Sequence, residues 1–543
     1  MGGVTGTMLL SSAVPLPLLA QFGDRRHTRH DGIRRDDLPA ITDHSVRTLV
    51  FAGIHAARSA GASYAEVRLT NTLIRTVEVA NVQDQQMIQA GVRALVNGRW
   101  GFASGPAWDE TTIVTLAQRA VLQAKAQTQG QASASEVGVD MSAWPKLEGA
   151  RTGHWQMPVK VDPLSVHPFV MQDFFRGLSE RVQLEFGQLS GQKALGVAAK
   201  FMIQERALGT SEECYYTQRC YLTTGTLTAT LVQQGKGAGS RAIPILSPAG
   251  QGWELFTDAS LGDVVFQTLQ EIRDDFSLPV RPATPGTYTV LLDAVTTARV
   301  VSQTIGVASE LDRALGYEAN TGGLSYLNNP AKMLNTFAIG SPLLTVTANR
   351  SEPGGAATVQ WDDEGVTPRP FTIVKDGVFH DYHLSREGVA WLKRAKIEGR
   401  EHPSGVVNAI DGATVPSVRT ANLEVAPSAT DAGETALMAQ ARDGIFIEDA
   451  SATMDPSLVN GLIVGGRAYE IKGGKRVARI ANLAVVVHTP TLWKSLSLLG
   501  GAKSKVRIGM MNTKGEPSQA SFHSVTAVPA VFRDQVVTDL LLR

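Results

Sequence analysis

The stretch that most constrains the fold is a strand-like run followed at once by a helical one. Residues 286–293 (GTYTVLLD) have β-strand composition, and no proline interrupts the run that follows them. That run carries an apolar stripe with helical spacing, made of Val300, Val301, Ile305 and Ala308. The chain is therefore predicted to pass from a strand directly into a helix that is buried along one side.

Gly306 lies inside this predicted helix. Glycine at such a position costs about 1 kcal/mol relative to alanine, so its presence needs a compensating reason. We expect either close packing against a neighbouring element or a functional role for this position.

The segment after the helix, residues 310–320, reads ELDRALGYEAN. This run resembles the TldD/PmbA family of metallopeptidases, also called modulators of DNA gyrase, whose active members carry a helical HExxxH motif just before the same letters. The opening at residues 61–68, GASYAEVR, is also similar to the family. The resemblance extends over most of the chain from about residue 41.

The resemblance aligns Ser302 with the first histidine of HExxxH, Gln303 with the glutamate and Val307 with the second histidine. A helical zinc site needs imidazole nitrogens on one face and a carboxylate that takes a proton from metal-bound water. A hydroxyl, a neutral amide and an isopropyl group supply neither. The register predicts that no catalytic residue and no zinc ligand remains on this helix.

The family's further ligand is a cysteine in a run similar to NCGKGQP. Residues 511–517 read MNTKGEP, which puts Asn512 at the cysteine position. An amide oxygen is a poor, hard substitute for a thiolate on zinc. The resemblance therefore implies no metal and no cofactor for this chain, with the family's zinc lost.

In the family, two related subunits enclose a chamber, and one of them lacks the ligands. By this resemblance the chain is predicted to be a zinc-less, non-catalytic subunit that acts on peptides together with a homologous TldD-type subunit or as a homodimer. The retained flank is predicted to serve substrate binding or the subunit interface through five polar residues: Glu310, Asp312, Arg313, Glu318 and Asn320.

Two alternatives stay open. The chain is an active metallopeptidase with altered ligands, recruiting His380 or His383 with Glu387, or it is a stand-alone peptide-binding scaffold. On a strand, His380 and His383 would point to opposite faces, which disfavours a shared metal. The acidic turn at residues 361–365 (WDDEG) is suited either to neutralising a peptide amine or to shaping a loop, and the loop-shaping role is the one predicted.

Composition excludes some function classes. The 543 residues include 51 basic and 51 acidic side chains, so there is no global charge footprint for direct nucleic-acid binding. No apolar run reaches the ~18 residues that span a bilayer. Residues 8–20 are apolar and of signal-peptide length, but residues 1–7 contain no lysine or arginine, so export and a cytoplasmic location both remain open.

The predicted fold class is α+β. Helical and strand patterns mix in the first half, and many short strands punctuated by glycine and proline follow residue 320, which is typical of a barrel or sandwich. The predicted units are a leader and linker at 1–40, an N-terminal α/β domain at 41–150, a middle α/β domain at 151–285 and a β-rich domain carrying the former zinc helix at 286–543.

Overall fold

The computed structural model describes residues 38–127, 138–185 and 191–541. The predicted leader, residues 1–40, lies outside the described residues except for its last three. No helix in these described ranges combines the length and apolarity needed to cross a bilayer.

The N-terminal elements are three strands flanked by two helices. They are α1 (His44–Ser59), β1 (Tyr64–Glu78), β2 (Val82–Val96), β3 (Arg99–Gly105) and α2 (Glu110–Ala126). The Asp43 carboxylate accepts the backbone N–H of Ser45 and caps α1. Asn97 and Gly98, which join β2 to β3, both have positive φ, as a tight hairpin turn of this dipeptide requires.

The middle elements extend the same sheet. They are β4 (Thr152–Gln156), α3 (Pro168–Glu185), β5 (Gln192–Thr210), β6 (Tyr215–Gln233), β7 (Gly237–Ala242), α4 (Glu254–Thr257) and α5 (Leu261–Asp275). The seven strands run in the order β3-β2-β1-β5-β6-β4, with β7 also paired to β6. Because β1 pairs directly with β5, one sheet spans both predicted α/β units. The boundaries between the predicted domains stay predictions.

Two of these strands lie beside or within residues that are typical of turns. β4 ends two residues before Pro158, and β7 (GAGSRA) is rich in glycine. Each pairs with β6, β4 in parallel and β7 antiparallel. Pairing with the long strand β6 stabilises both short strands, and for β7 it overrides the weak strand propensity of glycine.

The second half is rich in short strands. Its strands are β8 (Val280–Pro282), β9 (Gly286–Leu292), β10 (Val346–Ala348), β11 (Phe371–Lys375), β12 (Val378–Phe379), β13 (Val407–Asn408), β14 (Ser417–Val418), β15 (Leu423–Val425), β16 (Gly444–Glu448), β17 (Ser451–Met454), β18 (Asn460–Val464), β19 (Arg467–Lys472), β20 (Lys475–Ala481), β21 (Leu483–His488), β22 (Leu496–Leu499), β23 (Val506–Lys514), β24 (Gln519–Ala527) and β25 (Ala530–Asp539). Its helices are α6 (Ala294–Val301), α7 (Leu311–Ala314), α8 (Pro330–Met333), α9 (Arg386–Arg394), α10 (Glu434–Ala441) and α11 (Thr489–Lys494).

These strands form a six-stranded sheet, β12-β11-β10-β15-β24-β23, and a ten-stranded sheet, β17-β18-β21-β25-β9-β16-β19-β20-β8, in which β22 pairs with β25. β13 and β14 form a separate pair. The α+β class is confirmed, while neither large sheet closes into a barrel over the described strands.

The predicted strand-to-helix passage places the site between the two large sheets. β9 belongs to the ten-stranded sheet, and α6, which follows it, packs against β23 and β24 of the six-stranded sheet. The apolar stripe Val300, Val301, Ile305 and Ala308 is fully buried in the largest hydrophobic cluster of the described residues. The helix is therefore connected to one sheet and packed against the other, which fixes the neighbours of its polar residues.

Candidate functional site

The helix changes geometry at the positions that resemble the metal motif. α6 ends at Val301, residues Ser302–Gly306 form a π-helical turn, and Val307–Ser309 form a 3₁₀ turn. The sequence pattern predicted a continuous helix, and the wide turn is a correction to it. Single π-helical turns occur frequently at functional sites.

Gly306 lies in the π-helical turn, where close packing explains it. A Cβ atom at this position would lie 2.8 Å from Leu423 Cδ1 and 2.9 Å from Thr420 Cγ2. Such distances are shorter than carbon atoms tolerate, so no larger side chain fits without displacing a neighbour. The expectation of close packing is confirmed.

Ser302 lies fully buried against a histidine from the six-stranded sheet. Its Oγ is 2.9 Å from Nε2 of His523 on β24. Burial lowers the pKa of His523 to about 4, and its Nδ1 has no hydrogen-bond partner in the described chain. No sequence motif marks His523, because its partner is 221 residues away.

Gln303 and Asn512 form a second contact beside the first. Gln303 Nε2 donates to Asn512 Oδ1 over 3.0 Å, and both side chains line a cavity of about 240 Å³. Val307 is buried in the hydrophobic core. The structure thus joins positions 303 and 512, which the resemblance assigned to one site although they are 209 residues apart in the sequence.

The donor atoms at these positions do not fit zinc. Protein zinc sites use thiolate, imidazole and carboxylate ligands, usually four in structural sites and three in catalytic ones. Here the described side chains offer one hydroxyl, two amides and the single imidazole of His523, which is already bonded to Ser302. No carboxylate replaces the glutamate of the family's motif at position 303.

Two residues beyond Asn512, the Lys514 ammonium lies among three carboxylates of the ELDRALGYEAN run. Lys514 Nζ is 2.8 Å from Glu310, 2.8 Å from Asp312 and 2.7 Å from Glu318. We call these four residues the carboxylate cluster. Within the described ranges, Glu310, Asp312 and Glu318 are the one group of three or more acidic, histidine or cysteine side chains close enough to share a cation, and Lys514 supplies the charge.

Electrostatics favour the charged forms of Lys514 and Glu310 in this cluster. Burial alone would lower the pKa of Lys514, but Asp312, Glu310 and Glu318 outweigh it and raise that pKa. Burial would raise the pKa of Glu310, yet Lys514 and a hydrogen bond from Thr420 hold it below its usual range. Burial dominates for Glu318 and raises its pKa. The cluster is an internal ion network with strong partners.

Arg313 and Asn320 lie outside this cluster. Arg313 Nε donates to the Leu324 carbonyl oxygen over 2.7 Å, and its guanidinium lies 3.5 Å from Glu318. Asn320 is exposed. The predicted role of the five flank residues in substrate binding or an interface stays a prediction; four of them have partners within the chain.

The alternative ligand His383 is already occupied. It is fully buried, its Nε2 accepts the backbone N–H of Ala421 over 3.0 Å, and its Nδ1 lies 3.1 Å from Ser309 Oγ. Burial lowers its pKa to about 4. This histidine links Ser309 of the 3₁₀ turn to the backbone of Ala421, and these two contacts use both of its ring nitrogens.

The acidic turn is also internal. Asp362, Asp363 and Glu364 are buried; Asp362 accepts backbone N–H groups of its own turn, and Asp363 accepts two short contacts from Arg206 on β5. This geometry agrees with the predicted loop-shaping role. It also ties the seven-stranded sheet to the second half.

Comparisons with known proteins identify the class. Residues 285–535 match the PmbA/TldA metallopeptidase C-terminal domain, and residues 62–124 match PmbA/TldA metallopeptidase domain 1. A metalloprotease of Methanocaldococcus jannaschii is 21% identical over 402 residues, covering 71% of this chain and 78% of that protein.

Solved structures share the fold. A protein described as a modulator of DNA gyrase from Bacteroides thetaiotaomicron superposes with a TM-score of 0.67 at 15% identity, covering 92% of this chain and all of that one. TldE from Thermococcus kodakarensis gives 0.63 at 13% identity, covering 91% and 100%. The fold and the matched domains are those of a metallopeptidase-like protein. The chain belongs to the TldD/PmbA family.

Proposed function

We propose that this chain is a zinc-less, non-catalytic member of its family that binds unfolded peptide and works with a homologous peptidase subunit. The observation that carries the proposal is the contact between Gln303 and Asn512. The side chains at the two positions that resemble the catalytic glutamate and the cysteine ligand are bonded to each other. Neither is a general base or a zinc ligand at neutral pH.

The neighbouring pair supports the same proposal. Ser302 Oγ lies within hydrogen-bond distance of His523 Nε2, so this buried pair forms its contact without a cation. The family resemblance implies two related subunits around a chamber, one of them without ligands. In such an assembly this chain would confine the peptide, which would bind by addition to an exposed strand edge, while the partner cleaves it.

The first experiment measures zinc and activity together. Plasma mass spectrometry should find well under one zinc per chain in protein purified with zinc present, and the chain alone should not hydrolyse unfolded casein. Mixing it with the intact homologue from the same organism should change that homologue's rate or products. Stoichiometric zinc with hydrolysis by the chain alone would instead support a peptidase with altered ligands; peptide affinity without partner or metal would support a scaffold.

The second experiment restores the donor set. A variant carrying Ser302→His, Gln303→Glu, Val307→His and Asn512→Cys should bind zinc, and the three-substitution variant that keeps Asn512 is its matched control with weaker binding. We expect binding before activity, because hydrogen bonds that orient metal ligands have to be present as well. Equal zinc affinity in the two variants would contradict the assignment of position 512.

A further inference from the structure

The cavity beside Gln303 and Asn512 has two walls of different origin. One wall is the face of the seven-stranded sheet, where β5 and β6 contribute Lys200 and Thr224; the other is formed by the π-helical turn and β23. The register aligns Lys200 with Thr76 on β1 and with Thr224 on β6. Lys200 therefore stands in the middle strand of three at the cavity's sheet wall.

The charged residues along this sheet face differ in whether they have partners. Lys200 and Arg206 lie on the same face of β5, since side chains alternate along a strand. Arg206 is paired with Asp363 at 2.7 Å. Among the described residues, the Lys200 ammonium has no hydrogen bond and no carboxylate partner, and burial alone accounts for a lowered pKa.

A second hydrogen-bond donor at the cavity is also unused. Asn512 accepts from Gln303 through Oδ1, but its Nδ2 is buried and has no partner in the described part of the chain. Arg299 also lines the cavity, yet its charge is balanced by Asp449 at 2.8 Å. The cavity is left with a net positive charge and with donors that need an acceptor.

The remaining lining is suited to an apolar group. It includes six apolar side chains from both walls: Leu227, Ile243, Pro248, Ile508, Met510 and Met511. A ligand that satisfies this cavity therefore carries an anionic acceptor group next to a hydrophobic one. Pockets of this kind use a few placed polar groups for orientation and apolar surface for affinity.

We propose that this cavity binds the free C-terminal carboxylate of an unfolded peptide, with Lys200 as its counter-ion, Asn512 Nδ2 as a second donor and the apolar lining around the last side chain. The inference rests on the proposed peptide-binding function and names its substrate class. A chain end fits the charge and the apolar lining together, whereas an internal peptide segment brings no carboxylate of its own backbone to Lys200.

The test is calorimetric titration of the full chain with the peptide Ala-Gly-Ser-Ala-Gly-Ala-Leu as the free acid, the same peptide as the C-terminal amide, and sodium acetate. We expect the free acid to bind at least tenfold more tightly than the amide and acetate to bind far more weakly than the peptide. Equal affinity for acid and amide, or for acetate and peptide, would overturn the proposal, as would no binding of the acid.

Two variants locate the effect. Lys200→Met should reduce the affinity for the free acid at least tenfold and leave the affinity for the amide unchanged. Lys193→Met is the matched control, since Lys193 lies on the same strand with the opposite side-chain orientation, and it should change neither. Loss of amide binding in Lys200→Met would indicate a general structural defect and would count against a counter-ion role.

Failure here is distinguishable from failure of the proposed function. Binding of acid and amide alike, without dependence on Lys200, would leave a zinc-less peptide-binding subunit intact and remove only the chain-end specificity. Stoichiometric zinc and hydrolysis by the chain alone would remove the proposed function, while the dependence on Lys200 would still be measurable.

Discussion

Two neighbouring regions around the π-helical turn are held by opposite means. The carboxylate cluster joins Glu310, Asp312 and Glu318 to Lys514 through buried charges at 2.7 to 2.8 Å. The turn itself is held by neutral contacts, Ser302 with His523 and Gln303 with Asn512. The difference teaches that the retained family motif is an ion network whose charges are paired within the chain, while the adjacent turn relies on uncharged hydrogen bonds.

The two regions are therefore expected to differ in how much stability a substitution costs. A buried ion loses several kcal/mol when its partner is removed, because the remaining charges have no solvent to stabilise them. A neutral hydrogen bond contributes about 0.5–1.5 kcal/mol. A substitution in the carboxylate cluster should therefore lower the free energy of unfolding more than a substitution in the neutral pairs.

The largest expected effect comes from removing the shared cation. Lys514→Met leaves three carboxylates facing one another in the protein interior and should lower the free energy of unfolding by about 3–5 kcal/mol. Urea denaturation followed by circular dichroism measures it. The control is Lys503→Met, a highly exposed lysine paired with Asp431, which should have no measurable effect. Equal stability of the two variants would refute the distinction between charged and neutral regions.

The next effect is a loss of stability at acidic pH that arises from His523, the partner of Ser302 at the π-helical turn. His523 is buried and its pKa is lowered from 6.5 to about 4, so its contribution to stability is complete above pH 6.5 and is lost as the pH falls toward 4. This shift corresponds to about 3 kcal/mol. His383, with the same direction and value, adds to the loss.

The measurement is the free energy of unfolding at pH 6.5 and pH 4.5. The difference between the two pH values should be smaller in His523→Gln than in the unsubstituted protein, and unchanged in His55→Gln, where the histidine is exposed on α1. An unchanged pH difference in His523→Gln would mean that this imidazole is charged in the folded protein.

A smaller effect is expected where the two regions meet. Gly306→Ala inserts a methyl group between Leu423 and Thr420, the residue that bonds Glu310, and should cost about 1–3 kcal/mol. Gly177→Ala in the exposed part of α3 meets no atom within 4 Å and should stabilise by up to about 1 kcal/mol. Thermal unfolding of both variants compares them, and a stabilising Gly306→Ala would contradict the packing explanation.

The smallest effect concerns the amide pair. In a double-mutant cycle of Gln303→Met and Asn512→Ala, the coupling free energy should be about 0.5–1 kcal/mol, because both groups border a cavity and water can replace the lost bond. A coupling free energy above about 3 kcal/mol would mean that the neutral pair is as strong as the charged cluster, and it would contradict the difference in strength argued for the two regions.

Much of the fold was predictable because its signals are local. The bounds of α1 and α2 follow apolar spacing and capping residues, those of α5 follow apolar spacing, and Asn97-Gly98 gives the hairpin by its turn chemistry. β4 and β7 were not predictable in this way. β4 is short and lies close to Pro158, β7 is rich in glycine, and both are strands because they pair with the backbone of β6.

The sequence by itself determined that positions 302, 303, 307 and 512 lack the atoms that hold zinc, since this depends only on which side chains stand there. Only the tertiary structure decided what those side chains do. Lys514 meets Glu310 across 204 residues and Ser302 meets His523 across 221, and contacts at such separations depend on how two sheets pack around one helix. The sequence motif defines which chemical groups are present, and tertiary packing determines which groups they contact.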